Sequence, residues 1–412
     1  MKNPIRTYLN IFLLCLTAIM ISSCGGSDTT TNTSSSEISS LLVRSEKLKH
    51  GLEWDQIQTL YAQLRDKING DDDNEARLTL AQLFVKEARV TGEHGHYYPA
   101  ALKSLDQILL KTEIKKDLKF RTLTTKAGVQ LSLHEFNDAL KTAEAAYAIN
   151  SRNAQINGVL VDAHVELGNY EEAVKFADKM ISIKPDLRSY SRVSYLREIH
   201  GDNAGALAAM KLAVDAGYPG LEETAWAALT LGEMYLKDDK LDQAFSIFED
   251  ILESRSDYPF AIAALGEVYM TKNDLASAES KFNEAIEVIP EIGFYLSLAK
   301  IYKAQNREEE LEKIKPAIWE MLEDDVVNGH NMNLEYASIY TELFPDYDKA
   351  LEYAMTEYEK RPKNIDVNRA LAKIYLKKNN NEKAKKHFEL AGTTGSEHPE
   401  LKEISEELYS SI

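Results

Sequence analysis

From residue 41 onward the apolar residues fall three and four apart, the spacing of one face of a helix, and short polar turns interrupt them. No stretch shows the period-two alternation of a half-buried strand. Two segments set the pattern. "LVDAHVELGNYEEAVKFADKMISIKP" (160–185) and "ALGEVYMTKNDLASAESKFNEAIEVIP" (264–290) each hold a helix, a polar turn and a second helix that ends near a proline. Ala139 and Ala173 lie 34 residues apart, as do Ala244 and Ala278, and each opens a second helix. Such a period predicts an array of helix pairs, because one pair cannot bury its apolar face without neighbours.

The finer spacing repeats as well. The first helices carry a Leu-small pair with an aromatic one turn later: Leu231-Gly232 with Tyr235, Leu265-Gly266 with Tyr269, Leu298-Ala299 with Tyr302, Leu371-Ala372 with Tyr375. Turn glycines follow at Gly168 and Gly201. The second helices pair a small residue with a bulky one, as in Ala244 with Phe248, Ala278 with Phe282 and Ala384 with Phe388, and prolines close units at Pro185, Pro290 and Pro362. This resembles the tetratricopeptide repeat. The resemblance implies an all-α, right-handed solenoid of antiparallel helix pairs, about eight repeats long between residues 74 and 392. The first unit is stretched by an insertion, "VTGEHGHYYP" (90–99). Leu311 stands where the sixth unit should have a small residue. "AVDAGYPGLEE" (213–223) lengthens a turn and is expected to bend the array. A capping helix is expected over 41–70, ahead of the array at 71–412, and a second one at 399–409.

The N-terminus differs in kind. Lys2 and Arg6 precede a short, mostly apolar run at 7–21, too short for a spanning helix, and small residues follow it. This predicts a signal peptide over 1–23. Its end, "ISSC", resembles a bacterial lipobox, with Ile21 where leucine is usual, and implies lipidation of Cys24. Residues 24–40 are rich in Gly, Ser and Thr and read as a flexible tether. "DTT" at 28–30 resembles an O-glycosylation motif of some Bacteroidetes, and Gly25 in place of the aspartate that retains enterobacterial lipoproteins implies the outer membrane.

Composition narrows the function classes. Cys15 and Cys24 are the only cysteines, which excludes a disulfide framework and a multi-cysteine zinc site. The net charge is −18, and removing Lys2 and Arg6 leaves −20 on the rest, a surface that repels nucleic-acid phosphate. Charge is uneven: residues 232–325 hold 22 acids and 10 bases, whereas 359–387 hold 10 bases and 3 acids. The second stretch is expected to be a solvated face or a meeting point for an anionic partner or lipid head group.

Motifs for chemistry are sparse. "HEFND" at 134–138 starts like a metalloprotease motif, but Asp138 stands where the second histidine belongs, so a repeat turn is expected. "EHGH" at 93–96 reads as a polar loop, and "DDDNEA" at 71–76 as a helix cap rather than a calcium loop. No phosphate-binding, dinucleotide-binding or serine-hydrolase motif occurs. No catalytic residue, metal site or cofactor is expected.

The resemblance implies a concave groove lined by first helices that binds a peptide or partner helix. The residues carried to it are Asp162 and Glu166, then Arg188, Tyr195 and Glu198, then Trp226 and Glu233, then Phe260, Glu267 and Met270, and finally Lys300. Trp226, Phe260 and Met270 fit inter-repeat packing equally well. This lining implies a peptide with basic and apolar side chains, and Glu233 and Glu267 speak against the basic carboxylate clamp of chaperone-binding relatives. The expected function is a lipid-anchored, non-catalytic scaffold of the cell envelope with a protein partner. Glycan capture, as in the SusD family that also combines an anchor with such repeats, is one alternative; an enzyme with a site made of scattered residues is a second, disfavoured by the scarcity of motifs for chemistry. That family interrupts its repeats with long aromatic loops, which this chain with its three separated tryptophans lacks.

Overall fold

The chain divides into residues 1–37 and 38–412. The computed structural model describes residues 38–409, within the second unit. The expected signal peptide, Cys24 and most of the tether lie outside the described residues.

The described residues form helices and connections, without a strand. α1 (Glu53–Asp71) leads. Nine pairs follow: α2 (Asn74–Thr91) with α3 (His94–Leu109), α4 (Lys116–Ser132) with α5 (Phe136–Ile149), α6 (Ala154–Glu166) with α7 (Tyr170–Ile183), α8 (Leu187–Ile199) with α9 (Asn203–Asp215), α10 (Glu222–Lys237) with α11 (Leu241–Ser254), α12 (Pro259–Thr271) with α13 (Leu275–Ile286), α14 (Ile292–Ala304) with α15 (Glu308–Val327), α16 (Asn333–Glu342) with α17 (Tyr347–Lys360), and α18 (Ile365–Lys377) with α19 (Asn381–Ala391). α20 (Pro399–Tyr409) closes the array. Nine pairs stand against the eight expected.

The small-to-bulky spacing builds each pair. A Cβ on Gly266 would lie 2.9 Å from the ring of Phe282, and one on Gly232 would fall onto the ring of Phe248. The facing Ala244 and Ala278 are fully buried. Backbone meets ring face at close range, which is why the first helix needs a small residue there.

The turns share one geometry. Gly168 and Gly201, but also His134, Asp239, Asn273, Asn306 and Asn379, sit in the left-handed region. The following amide reaches back five residues, as from Asn169 to the His164 carbonyl at 2.8 Å and from Asp274 to that of Tyr269 at 2.9 Å. This is the Schellman closure, and Asn, Asp and His tolerate it next best to glycine.

The solenoid then winds back onto itself. The Ile365 amide donates to the Tyr170 hydroxyl, 195 residues away, at 2.9 Å, and Arg361 pairs with Glu166 at 2.6 Å. The Asn331 amide donates to the Leu133 carbonyl at 3.1 Å, and the Asn203 side chain to Glu397 at 2.9 Å. Successive turns of the solenoid therefore touch along a seam, and the array is a closed coil over this stretch.

Two expectations need correction. The capping helix starts at Glu53, not at 41. Residues 38–52 are a strap with one short helical turn at Glu46–Leu48. The Arg44 side chain, fully buried, pairs with Glu87 at 2.6 Å and Glu53 at 3.1 Å, while Leu48 joins the core cluster that holds Ile262 and Phe294 of the sixth and seventh pairs and Ile289 between them. Buried charge and long-range contact held this segment out of the helix that its local pattern favours. The 90–99 insertion is not a loop: α3 starts at His94, and Tyr97 is fully buried against Phe84 at a ring distance of 5.6 Å. Leu311, in the seventh pair, is buried in place of the small residue.

Candidate functional site

The inner helices α2, α4, α6, α8 and α10 surround a hollow of about 940 Å3. Arg89 near the end of α2 pairs with Glu222, the first residue of α10, at 3.0 Å. This pair bridges the first and fifth inner helices, so the hollow is a chamber.

α8 carries the largest share of the wall. Asp186 and Ser189 form a capping box that fixes its first turn. Arg188 and Arg192, one turn apart, share a face. Arg192 donates to Asp162 on α6 through Nε at 2.8 Å and Nη2 at 2.6 Å, a two-pronged contact, and also to the Gly158 carbonyl at 3.2 Å. A Cβ on Gly158 would meet Met180 at 3.1 Å and Arg192 Nε at 3.2 Å, so glycine makes room for the guanidinium. Burial works against the Arg192 charge, and Asp162 more than offsets it, holding the pKa above the ordinary value. Arg188 pairs with Glu223 at 3.0 Å, and Glu198 with Lys237 at 2.8 Å. Between these pairs Tyr195 and Trp226 stand 41% and 40% exposed, large apolar surfaces facing the hollow. Burial, then Asp366 and Glu166, push the Tyr195 phenol well above its usual range.

The chamber brings together five of the expected groove residues: Asp162, Arg188, Tyr195, Glu198 and Trp226. The others lie elsewhere. Glu166 sits on the seam with Arg361; burial first, with Asp366 and Asp162, pushes its carboxyl up to about 7 against the pull of Arg361. Phe260 packs edge to face between Tyr258 at 5.5 Å and Phe294 at 5.8 Å, and Met270 packs on the neighbouring core; for both, the packing alternative holds. Glu233 is open to water but ringed by protein, which with Glu267 and Glu198 raises its pKa. Glu267 accepts from the Ser297 hydroxyl at 2.7 Å, and Lys300 is exposed. Arg89 and Arg192 were missed. An acid and a base one repeat apart, Asp162 and Arg192, were the available signal.

The remaining motifs resolve into structure. His134 occupies a left-handed turn position, and its ring Nδ1 lies 2.9 Å from the Asn331 carbonyl across the seam. Asp73 caps α2, accepting from the Glu75 and Ala76 amides at 2.8 and 3.2 Å. Among the described residues no group of three His, Asp or Glu is arranged to hold a metal. The basic stretch is largely neutralised: Arg369 and Lys373 pair with Glu400 at 2.9 and 2.7 Å, Lys377 with Glu407 at 3.2 Å, and Lys378 with Asp348.

Two tetratricopeptide-repeat families match the sequence, over residues 130–198 and 369–391. The chain carries tetratricopeptide repeats. A curated relative, cellulose synthase operon protein C of Pseudomonas fluorescens, is 26% identical over 145 residues, 33% of this chain. The chain spans only 11% of that protein's length. Among solved structures, a thermophilic tetratricopeptide protein of Thermus thermophilus is 20% identical and covers 48% of this chain and 99% of its own, with a TM-score of 0.41. PilW, a type IV pilus biogenesis factor, is 20% identical over 48% of this chain and 91% of its own, with a TM-score of 0.40. YrrB, a tetratricopeptide protein with a peptide-binding site, is 20% identical over 43% of this chain and 91% of its own, with a TM-score of 0.32. Neither matching family is an enzyme family.

Proposed function

We propose that this protein is a non-catalytic scaffold of the cell envelope, lipid-anchored through Cys24 at the outer membrane, that holds a segment of a partner protein in the chamber of its repeat array. One observation carries the binding reading: Tyr195 and Trp226, each about two-fifths exposed, face a hollow walled by five inner helices. Apolar aromatic surface left open inside a concave wall is the usual anchor for a partner side chain. The anchor rests on the N-terminal sequence alone. The test is photo-cross-linking in cells. A cross-linking residue at Thr230, on the chamber wall, gives a discrete adduct; one at Glu172, on an outer helix, does not. The adduct is lost in a Tyr195→Ala, Trp226→Ala double variant that keeps its helical circular dichroism. Equal labelling from both positions would remove the chamber from the account.

A further inference from the structure

The chamber has no spare charge. Six charged side chains line it, three arginines and three carboxylates, and every one is paired: Arg192 with Asp162 at 2.6 Å, Arg188 with Glu223 at 3.0 Å, Arg89 with Glu222 at 3.0 Å and Glu198 with Lys237 at 2.8 Å. A charged ligand group entering it would compete with an existing partner and would itself lose water, which disfavours it on both counts. Three of the wall hydroxyls are committed as donors: Thr124 to the Phe120 carbonyl, Ser191 to that of Arg188 and Thr230 to that of Trp226. Their oxygens remain as acceptors. Gln82 and Gln155 add side-chain amides, which both give and take hydrogen bonds and suit a peptide backbone. Between them the wall is aliphatic, with Val85, Val159, Met180 and Leu187 beside the two aromatics.

We infer, building on the chamber reading above, that the occupant is an uncharged peptide segment of a partner protein, bearing aliphatic or aromatic side chains and no Lys, Arg, Asp or Glu in the part that enters. The peptide with basic and apolar side chains that the mixed acid and aromatic lining implied does not fit, because the acids that line the chamber, Asp162, Glu198 and Glu223, each already hold a base. A neutral glycan fits less well, since its many hydroxyls each need a hydrogen-bond partner and, beyond the Gln82 and Gln155 amides, much of the wall between the ion pairs is aliphatic or aromatic.

The test is selection from a randomised short-peptide phage library on the immobilised full-length chain. The selected peptides are uncharged, their binding changes less than about twofold between roughly 50 and 500 mM NaCl, and Trp226→Ala removes them. Asp162→Asn leaves Arg192 without its carboxylate, and Glu223→Gln does the same for Arg188; each shifts selection toward peptides containing Asp or Glu, favoured on the order of tenfold and sensitive to salt. Either variant suffices, provided that it retains its circular dichroism. Charged peptides on the wild type that are still lost with Trp226→Ala overturn the inference and keep the chamber reading. Binding that Trp226→Ala leaves unchanged, or no enrichment, overturns both. Displacement of the peptides by a neutral oligosaccharide that binds on its own makes the chamber a glycan site and overturns the peptide assignment.

Discussion

Gly168 and Lys363 meet across the seam so closely that a Cβ on Gly168 would lie 2.5 Å from the Lys363 carbonyl carbon. Gly201 stands the same way against the Gly395 carbonyl oxygen, also at 2.5 Å. At other turns the left-handed residue is Asp239, Asn273, Asn306 or Asn379. The backbone conformation alone does not demand glycine in this coil; the stacked turn does.

Gly168→Ala is therefore expected to destabilise the fold by about 2–4 kcal/mol, of which about 1–2 kcal/mol is the left-handed backbone and the remainder the clash. Asn273→Gly, at a turn of the same conformation, changes stability by less than about 1 kcal/mol. Urea unfolding of the two variants checks this. Equal losses would mean that the seam adds nothing to the demand for glycine.

The strap makes a second prediction. Arg44 and Glu87 form a fully buried ion pair at 2.6 Å. Arg44→Ala strands the Glu87 carboxylate and is expected to cost about 3–5 kcal/mol. Replacing both residues, as Arg44→Met with Glu87→Leu, restores most of that loss because no unpaired charge remains. A double-mutant cycle by denaturant melts reads the coupling, and additive losses would contradict it.

Acid is expected to loosen the seam. The rings of His134 and His330 lie 4.7 Å apart, and those of His94 and His330 6.3 Å apart. Burial lowers the pKa of both His94 and His134, and His330 lowers each further, against the pull of Asp325 on His94 and of Glu335 on His134; Arg361 also opposes charge on His134. Both histidines thus bind protons more weakly in the folded chain. Their contribution is complete above the ordinary value of 6.5 and is lost as pH falls below it. Glu166, raised to about 7, runs the other way, its protonation favouring the fold as pH falls through that value, so a global melt mixes the two signs. The clean readout is the exchange protection of the Asn331 amide, which donates to Leu133 across the seam. It should fall between about pH 7.5 and 5.5, and fall less in His94→Asn, His134→Asn. Parallel behaviour of variant and wild type would clear the histidines of this role.

Cys24→Ala is expected to move the protein from the membrane fraction to the soluble one and to abolish metabolic labelling with a fatty acid. Retention at the membrane without the cysteine would end the lipoprotein reading.

The helix pairs were legible because their cause is local: apolar spacing and a small residue facing a ring, as at Gly266 and Phe282, recur within one unit. The seam was not. Tyr170 and Ile365 lie 195 residues apart, and no pattern within a repeat records which later repeat comes to rest on it. For the same reason Glu166, which looks like a groove carboxylate on its helix, is taken by Arg361 of the next turn. The choice between Trp226 and Phe260 was also beyond the sequence, since both are aromatics near the start of an inner helix. Only the neighbours separate them: Tyr258 and Phe294 close over Phe260, whereas Trp226 stays two-fifths exposed. The strap was misread because Arg44 owes its place to Glu87, 43 residues on.

That strap also sets how the array bears a pull. Force applied to the chain ahead of Ile38 meets the Ser39 and Ser40 carbonyls, held by Tyr61 at 2.9 Å and His96 at 2.8 Å, then Leu42 on the Tyr97 hydroxyl at 3.0 Å, then the Arg44 pair, before it reaches α1. Leu48 hands part of the load to the sixth and seventh pairs. Such tension is thus shared between two places far apart in the chain, instead of peeling the repeats from one end.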